Sequence, residues 1–186
     1  NGLLGAPGEY SGASAAVMWD PDREGPLPKC LVVAGAFDAI GDAVAKNLAM
    51  WNPVTGHWSE IGGGVDVAAR ALAVLSNGDL IVGGMFRHAG SIPAERIARW
   101  DGQQWSTLKW GLNGTVNDLA VLDNGDLIVA GEFTSAGGTG DSWGVARWDG
   151  TWWWPIGGGA NGTVSRVKAL PGNQFLMCGF FTKVGG

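Results

Sequence analysis

A short apolar motif returns four times along this chain at an almost constant interval. The phenylalanine that ends each copy follows the previous one by 49, 47 and 48 residues. A repeat of this length predicts a tandem array of small structural units, because such units bury their apolar faces only by packing against one another. The copies are LVVAGAF at 31–37, LIVGGMF at 80–86, LIVAGEF at 127–133 and FLMCGFF at 175–181.

Two series of tryptophans keep the same step. The sequence has 11 tryptophans against one tyrosine. Rings of this size need a packed core, which argues against a disordered chain. We expect the repeated rings to fill the gap between neighbouring units, toward the outer rim. The first series is Trp51, Trp100 and Trp148, and the second is Trp58, Trp105 and Trp153.

Each repeat divides into four short apolar pieces separated by turn residues, a pattern typical of β-strands. Asn77-Gly78 and Asn124-Gly125 predict two-residue type I′ hairpins after the first piece, because both residue types tolerate positive φ. The alanine-rich stretch 39–50 aligns with loops and third strands of the other repeats, so we interpret it as loop and strand rather than helix. The pieces are 71–75, 79–86, 96–100 and 104–108 in the second repeat, and 118–122, 126–133, 144–148 and 151–156 in the third.

Four antiparallel strands per repeat predict an all-β fold, a β-propeller in which each repeat forms one blade. The whole chain, 1–186, is then a single propeller segment of about three and a half blades. The glycine near the end of each second strand is expected to allow a close backbone approach near the narrow axis. The predicted blades are 14–62, 67–109 and 116–156, with a half blade at 164–186, and the first carries an insertion at 21–29.

An arc of this size leaves two apolar blade faces uncovered, because closed propellers usually have four to eight blades. Two arrangements would close the ring. Further blades in a longer parent chain are the favoured one, and the other is a second copy whose first blade meets the half blade. The chain begins with Asn1 rather than methionine and shows no secretory signal, so we expect a processed protein or an excised piece.

Charge and composition exclude several classes of partner. The net charge is −5 and no basic run is present, so the sequence predicts no nucleic-acid partner. No apolar stretch approaches the ~20 residues of a membrane helix, so no membrane span is predicted. Cys30 and Cys178 fit no metal-ligand spacing and are expected to be buried apolar side chains, although the sequence leaves their redox state open. No cofactor is predicted, because the glycine runs 62–64 and 157–159 lack the Gly-Lys-Ser/Thr sequence of a phosphate-binding loop.

No catalytic residue and no metal site is predicted. His57 lies in a turn between third and fourth strands and His88 in a loop between second and third strands, so propeller geometry places them on opposite faces. The turn aspartates are expected to shape their turns, with calcium binding at 123–126 as the less favoured alternative. Asn113 and Asn161 begin Asn-Gly-Thr glycosylation sequences, yet the repeat itself accounts for both.

A ligand-binding face is predicted from the architecture. The loops from fourth to first strand and from second to third strand share one face, where propellers commonly bind ligands. Trp110 and Trp143 lie outside the two repeated series. A loop tryptophan suits sugar stacking or a protein contact, and burial under a neighbouring loop is an equal alternative. The candidate residues are Asp66, Arg70, His88, Glu95, Trp110, Asn113, Asn117, Trp143 and Arg166.

Several segments resemble a known repeat family. WNPVTGHW at 51–58 and the double glycine at 83–84 resemble the kelch pattern. GGMFRHAG at 83–90 and IARWDGQQW at 97–105 are even more similar to the Gly-Gly-x-Phe and Trp-Asp-Gly-x-x-Trp repeats of secreted planctomycete-type bacterial proteins and of fungal bud-site cortical markers. The resemblance implies a β-propeller and an extracellular or cell-surface location, and it implies no particular activity. Alanine or cysteine replaces the first glycine of the pattern before Gly35, Gly131 and Gly179.

These observations favour a non-enzymatic interaction or scaffold module of a secreted or cell-surface repeat protein. A carbohydrate-binding, lectin-like propeller that uses loop tryptophans is the alternative. An enzyme domain on a propeller scaffold is a third hypothesis, disfavoured because no acid–base or metal constellation can be assembled. The sequence does not determine the ligand, the organism or the total number of blades.

Overall fold

The computed structural model describes the backbone of residues 3–4 and all of residues 12–23, 25–138 and 140–185. In that part of the chain every regular element is a β-strand, and no helix is present that could cross a membrane. The strands are β1 (Leu3–Leu4), β2 (Gly12–Trp19), β3 (Cys30–Ala36), β4 (Ala39–Ile40), β5 (Ala43–Val44), β6 (Leu48–Asn52), β7 (His57–Glu60), β8 (Ala69–Val74), β9 (Leu80–Gly84), β10 (His88–Ala89), β11 (Ile92–Pro93), β12 (Ile97–Trp100), β13 (Trp105–Thr107), β14 (Val116–Val121), β15 (Leu127–Gly131), β16 (Val145–Trp148), β17 (Trp153–Pro155), β18 (Thr163–Leu170) and β19 (Gln174–Phe180).

Three four-stranded antiparallel sheets and one two-stranded sheet correspond to the four repeats, and the remaining strands form the small sheets β1-β4-β5 and β10-β11. The orders of the four repeat sheets are β2-β3-β6-β7, β8-β9-β12-β13, β14-β15-β16-β17 and β18-β19, and we call them blades 1 to 4. The predicted all-β fold of four-stranded blades is confirmed. The blade boundaries drawn from the sequence stay predictions. The segment 1–186 and the half blade 164–186 both include Gly186, which lies outside the described residues. Glu24 in the insertion and Thr139 in blade 3 also lie outside them.

A β-bulge interrupts the inner strand of every blade at the same place. In blade 3 the register shifts between Val116 and Asp118. The glycine of the second strand faces this bulge so closely that a Cβ on Gly131 would lie 2.0 Å from the carbonyl oxygen of Thr115. The predicted close approach therefore exists, and its partner is the blade's own inner strand. The equivalent glycines, Gly35, Gly84 and Gly179, would place a Cβ 2.1, 2.4 and 2.2 Å from inner-strand carbonyl oxygens.

The first hairpin of each complete repeat differs from the predicted type I′ turn. Gly78 has φ +87°, whereas Asn77 stays at negative φ. Two bonds close the loop, from Gly78 N to Leu75 O and from Leu75 N to Asp79 O, each 2.9 Å. Three residues therefore separate the paired ends, and only the glycine takes the left-handed conformation, as in a type I turn followed by a bulge. The hairpin of blade 3, with Gly125 at φ +88°, is built in the same way.

The loops between second and third strands contain more pairing than the sequence indicated. The predicted loop at 87–95 folds into a small ribbon in which β10 pairs with β11, and β4 pairs with β5 in blade 1. Stretch 39–50 is strand and turn, as expected. An isolated bridge joins Val65 of the incoming linker to Ala89 of this ribbon. The linker and the loop of one blade are thereby held together on a single face.

In blades 2 and 3, a tryptophan of the fourth strand forms a hydrogen bond to the preceding blade. The Nε1 of Trp105 donates to the carbonyl oxygen of Gly62 over 2.8 Å, and the Nε1 of Trp153 donates to that of Leu108 over 2.9 Å. Each ring also packs against its cross-strand tryptophan, with centroids 5.1 and 5.2 Å apart. The interfaces between blades are otherwise filled by buried aliphatic side chains and phenylalanines. The repeated rings of blades 2 and 3 thus lie between blades, as the sequence predicted, whereas Trp58 packs against residues of its own blade 1.

The two ends of the arc expose apolar side chains. On β19, Leu176 is 61% and Phe180 is 85% exposed, and Met18 on β2 is 55% exposed. Cys30 is buried, but Cys178 is exposed. The prediction that both cysteines are buried is therefore wrong for Cys178, because nothing in the described chain packs on that side of β19.

Candidate binding face

One polar side chain in each inter-blade linker ties that linker to the loop between second and third strands. The Oδ1 of Asp66 accepts bonds from the backbone amides of Arg87 and His88, at 2.9 and 3.1 Å. Asn113 and Asn161 accept the corresponding pairs of amides in the next two blades, over 2.9–3.0 Å. We call this arrangement the linker clamp. Asp66, Asn113 and Asn161 therefore build the face itself.

The linker clamp explains the two glycosylation-type sequences. The Nδ2 of Asn113 donates to Thr134 Oγ1 over 2.8 Å, and the Nδ2 of Asn161 donates to Thr182 Oγ1 over 2.9 Å. A sugar on either nitrogen would displace this bond. The interpretation of Asn-Gly-Thr as a structural part of the repeat gains a specific physical basis here.

Asp66 and His88 form a pair at the surface. The Oδ2 of Asp66 lies 2.9 Å from the Nδ1 of His88. Partial burial raises the pKa of Asp66, but the hydrogen bonds from the His88 ring and from the Arg87 and His88 amides outweigh it and leave the pKa below its usual value. Both side chains of the pair therefore take part in bracing the loop.

Three of the predicted residues meet near the propeller axis. Arg70 and Asn117 sit at the bulges of their inner strands, and the Nη1 of Arg70 donates to Asn117 Oδ1 over 2.9 Å. Asn117 also bonds to the next blade, because its Nδ2 donates to the carbonyl oxygen of Val164 over 3.2 Å. Together with Arg166 and Ser14 they line an open cavity of about 390 Å³.

Glu95, Trp110 and Asn113 lie together in a different place, away from the axis. They line a cavity of about 320 Å³ between blades 2 and 3, which also includes Arg87 and Arg96. Trp110 is 71% exposed. The Nε of Arg87 is 3.8 Å from Glu95 Oε2, a weak ion pair between exposed side chains.

Trp143 lies in a third location, between blades 3 and 4. It is 49% exposed and lines a cavity of about 250 Å³ with Glu132, Thr134 and Asn161. Both loop tryptophans are therefore exposed, which is the alternative to burial that the sequence left open. The nine predicted residues divide among the linker clamp, the axial cavity and two inter-blade cavities.

Sequence reasoning missed two further exposed tryptophans. Trp152 and Trp154 on the outer part of blade 3 are 53% and 44% exposed. The Nζ of Lys109 lies 4.0 Å from the ring centroid of Trp152, and the Arg147 guanidinium lies 5.7 Å from that of Trp154, both within the range of cation–π contacts. Comparison of the repeats position by position could have found them, since Gln104 and Ser106 occupy the same positions in blade 2.

His57 is the first residue of β7 rather than a turn residue, and its partner Asp42 lies in the loop between second and third strands, so the separation of His57 and His88 on opposite faces stays a prediction. The Nδ1 of His57 lies 2.7 Å from Asp42 Oδ2 in blade 1, and this bond lowers the pKa of Asp42. At the suggested calcium sequence, Asp126 accepts bonds from Asn124 Nδ2 at 2.8 Å and Arg147 Nη1 at 2.9 Å. These partners occupy its carboxylate, which agrees with a role in shaping the turn.

The comparisons with known proteins concern the fold. Residues 64–143, which include blade 2 and most of blade 3, match the family model described as the Rax2 C-terminal beta propeller domain. The predicted resemblance to a bud-site marker propeller is confirmed. No curated protein matches the chain. The Rax2-like region includes Trp110 and Glu95 with the cavity around them, so both belong to the part of the chain in which the likeness is established.

Proposed function

We propose that this chain is a non-enzymatic interaction module of a secreted or cell-surface repeat protein. The observation that carries the proposal is the distribution of exposed tryptophans. All four lie on blade 3 or the linker entering it, at positions where other repeats have small or polar residues. Because those repeats fold in the same way without them, their large apolar rings are available for contact with a partner.

The experiment replaces each exposed tryptophan by the residue type found at its position in another repeat. A variant carrying Trp110→Gly, Trp143→Glu, Trp152→Gln and Trp154→Ser should keep the wild-type circular dichroism spectrum. We expect wild-type chain immobilised on beads to retain components of a cell-surface extract of the source organism that this variant releases. Equal retention by both proteins would contradict the proposal.

A lectin-like module is the second candidate. Trp110 and Trp143 each line an inter-blade cavity together with side-chain amides or hydroxyl groups, a combination suited to a sugar ring. A glycan array probed with the labelled chain would test it, and binding of no glycan would retire it. Turnover of a substrate, lost on replacement of one loop acid such as Asp66, would instead favour an enzyme.

We also propose that further blades complete the ring, either in a longer parent chain or in a second copy. The apolar residues exposed on β19 and β2 support this, because a blade face of that kind is normally covered by a neighbour. For the isolated 186-residue chain we expect native mass spectrometry to show association that Leu176→Lys with Phe180→Lys abolishes. A stable lone monomer would contradict the proposal. Labelling of intact cells with an antibody against the chain would test the surface location.

A further inference from the structure

The junction of blades 2 and 3 carries two cavities, of about 320 and 350 Å³, that are lined by consecutive residues of the linker. The linker between the blades runs past both, since Trp110 lines the first cavity and Lys109 lines the second. We call the two cavities together the junction groove. Side chains that line it are Arg87, Glu95, Arg96, Asn113 and Ser135 around Trp110, and Arg99, Thr107 and Thr151 around Lys109.

The junction groove has the opposite charge to the rest of the chain. Four cationic side chains line it, those of Arg87, Arg96, Arg99 and Lys109, and Glu95 is its one acidic lining residue. The chain as a whole carries a net charge of −5. Of the two acids nearest the Lys109 end, Asp79 is buried against Arg23 and Arg99, and Asp149 accepts bonds from backbone amides and Trp154. An anionic ligand would therefore find attraction here and repulsion over most of the surface.

Three groove residues depart from the residue types that the other repeats carry at the same positions, and two of them have positive φ. Lys109 has φ +58° where the other two linkers have Gly62 and Gly157. Arg96 has φ +67° where the equivalent positions carry Asn47 and Gly144, and its Nε is buried with no partner among the described residues. The left-handed region is unfavourable for a non-glycine residue, so its presence there points to a role outside folding.

Trp110 is the third of these replacements. It stands where the other linkers have Gly63 and Gly158, and its ring is mostly exposed. Asn113 borders the same cavity, but its side chain is committed to the linker clamp. A flat aromatic face and cationic side chains are two elements that suit a sugar ring that carries a carboxylate.

We propose that the junction groove binds an acidic polysaccharide, a chain of uronic-acid units, with one sugar stacked on Trp110 and carboxylates near Arg87, Arg96 and Lys109. The inference deepens the proposed interaction role and names the chemical class of one ligand. An acidic peptide offers no pyranose face to Trp110.

The test is calorimetric titration of the 186-residue chain with a hexamer of α-1,4-linked galacturonic acid. We expect binding that weakens as salt concentration rises, because the attraction is between charges. The fully methyl-esterified hexamer has the same backbone without the charges and should bind at least 10-fold more weakly. Equal binding of the two hexamers, no binding of the acid form, or equally tight binding of a hexaglutamate peptide or a uridine hexanucleotide would overturn the proposal.

Variants locate the binding in the groove without disturbing the fold. Trp110→Gly and Lys109→Gly install the residues of the other linkers, and each should weaken binding of the acid hexamer by about 10-fold or more. Trp154→Ser removes an exposed tryptophan outside the groove and should bind as wild type does. Wild-type affinity in Trp110→Gly would overturn the proposal. If the hexamer fails but the cell-surface extract still distinguishes wild type from the four-tryptophan variant, the interaction role stands and the groove proposal alone falls.

Discussion

At the scale of single residues, a side-chain oxygen that accepts two backbone amides is the recurring device of this protein. Asp66, Asn113 and Asn161 use it at the linker clamp. Asp101 and Asp149 use it in the turns before the fourth strands, where each Oδ1 accepts two amides within 2.7–2.8 Å. These bonds lower the pKa of both turn aspartates. Short polar side chains thus supply hydrogen bonds that loop backbone cannot make with itself.

The linker clamp predicts which substitutions Asn113 tolerates. Asn113→Ala removes the acceptor for two amides and should lower the free energy of unfolding by about 1–2 kcal/mol. Asn113→Asp keeps the acceptor, as Asp66 does in the preceding linker, and should lie close to wild type. Urea denaturation of the two variants measures the difference. Similar losses in both would show that the accepted amides are not what Asn113 contributes.

Asp66 predicts a dependence of stability on acid pH. Its pKa is lowered in the folded chain, so its contribution is complete above the unfolded value of about 3.9 and is lost as pH falls through the lower folded value. Asp66→Asn keeps the clamp acceptor and removes the titration. We expect wild type to lose more free energy of unfolding than Asp66→Asn between pH 5 and pH 2.5. Parallel curves for the two proteins would contradict this.

At the scale of elements, periodicity predicted the strands, while bond geometry decided the details. Alternating apolar pieces and turn dipeptides located the strands of blades 2 and 3 to within a few residues. The predicted type I′ turn of the first hairpin was wrong. Asn-Gly is compatible with more than one loop, and the pairing of the flanking amides decides which of them forms. Two-residue strands such as β10 and β11 are too short to show a period. Arg96 by itself does not indicate positive φ, and only its alignment with Asn47 and Gly144 in the other repeats does so.

The bulge at each inner strand predicts a strict requirement for glycine. Gly131→Ala would drive its Cβ against the Thr115 carbonyl oxygen and should cost about 3 kcal/mol or more, unless the bulge shifts. Gly12→Ala is the control, because no atom of the residues that the structure describes lies within 4 Å of the position its Cβ would take. Thermal unfolding compares them. A Gly131→Ala protein as stable as Gly12→Ala would show that the bulge yields without cost.

At the scale of the whole molecule, the division of the candidate face was beyond the reach of the sequence. Loop assignment predicted nine residues on one side, and that grouping stays a prediction. Which of them meet depends on distances across blade junctions, as when Arg70 reaches Asn117 of the next blade. Repeat-by-repeat comparison was the more informative signal, since it marks Lys109 and Trp110 as departures from glycine before any distance is known.

The blade junctions predict where the arc is most sensitive to mutation. Trp153→Phe removes the Nε1 bond to Leu108 and part of a buried ring, and should lower the free energy of unfolding by about 2–3 kcal/mol. Trp152→Phe, one residue away and exposed, should change it by less than about 0.5 kcal/mol. Chemical denaturation followed by circular dichroism gives both values. Equal losses of unfolding free energy in the two variants would show that the indole hydrogen bond does not contribute to joining the blades.

The fastening between blades has a direction. In blades 2 and 3, the indole of the fourth strand donates a hydrogen bond to a carbonyl oxygen at the end of the preceding blade. Blade 2 therefore carries both the indole that bonds to blade 1 and the carbonyl that accepts a bond from blade 3. Duplication of the gene segment that encodes one blade therefore copies both the indole donor and the carbonyl acceptor, and the array can lengthen without a new type of contact between blades. The number of blades in proteins of this type can then change during evolution until the ring closes and the indole of the first blade bonds to the carbonyl of the last.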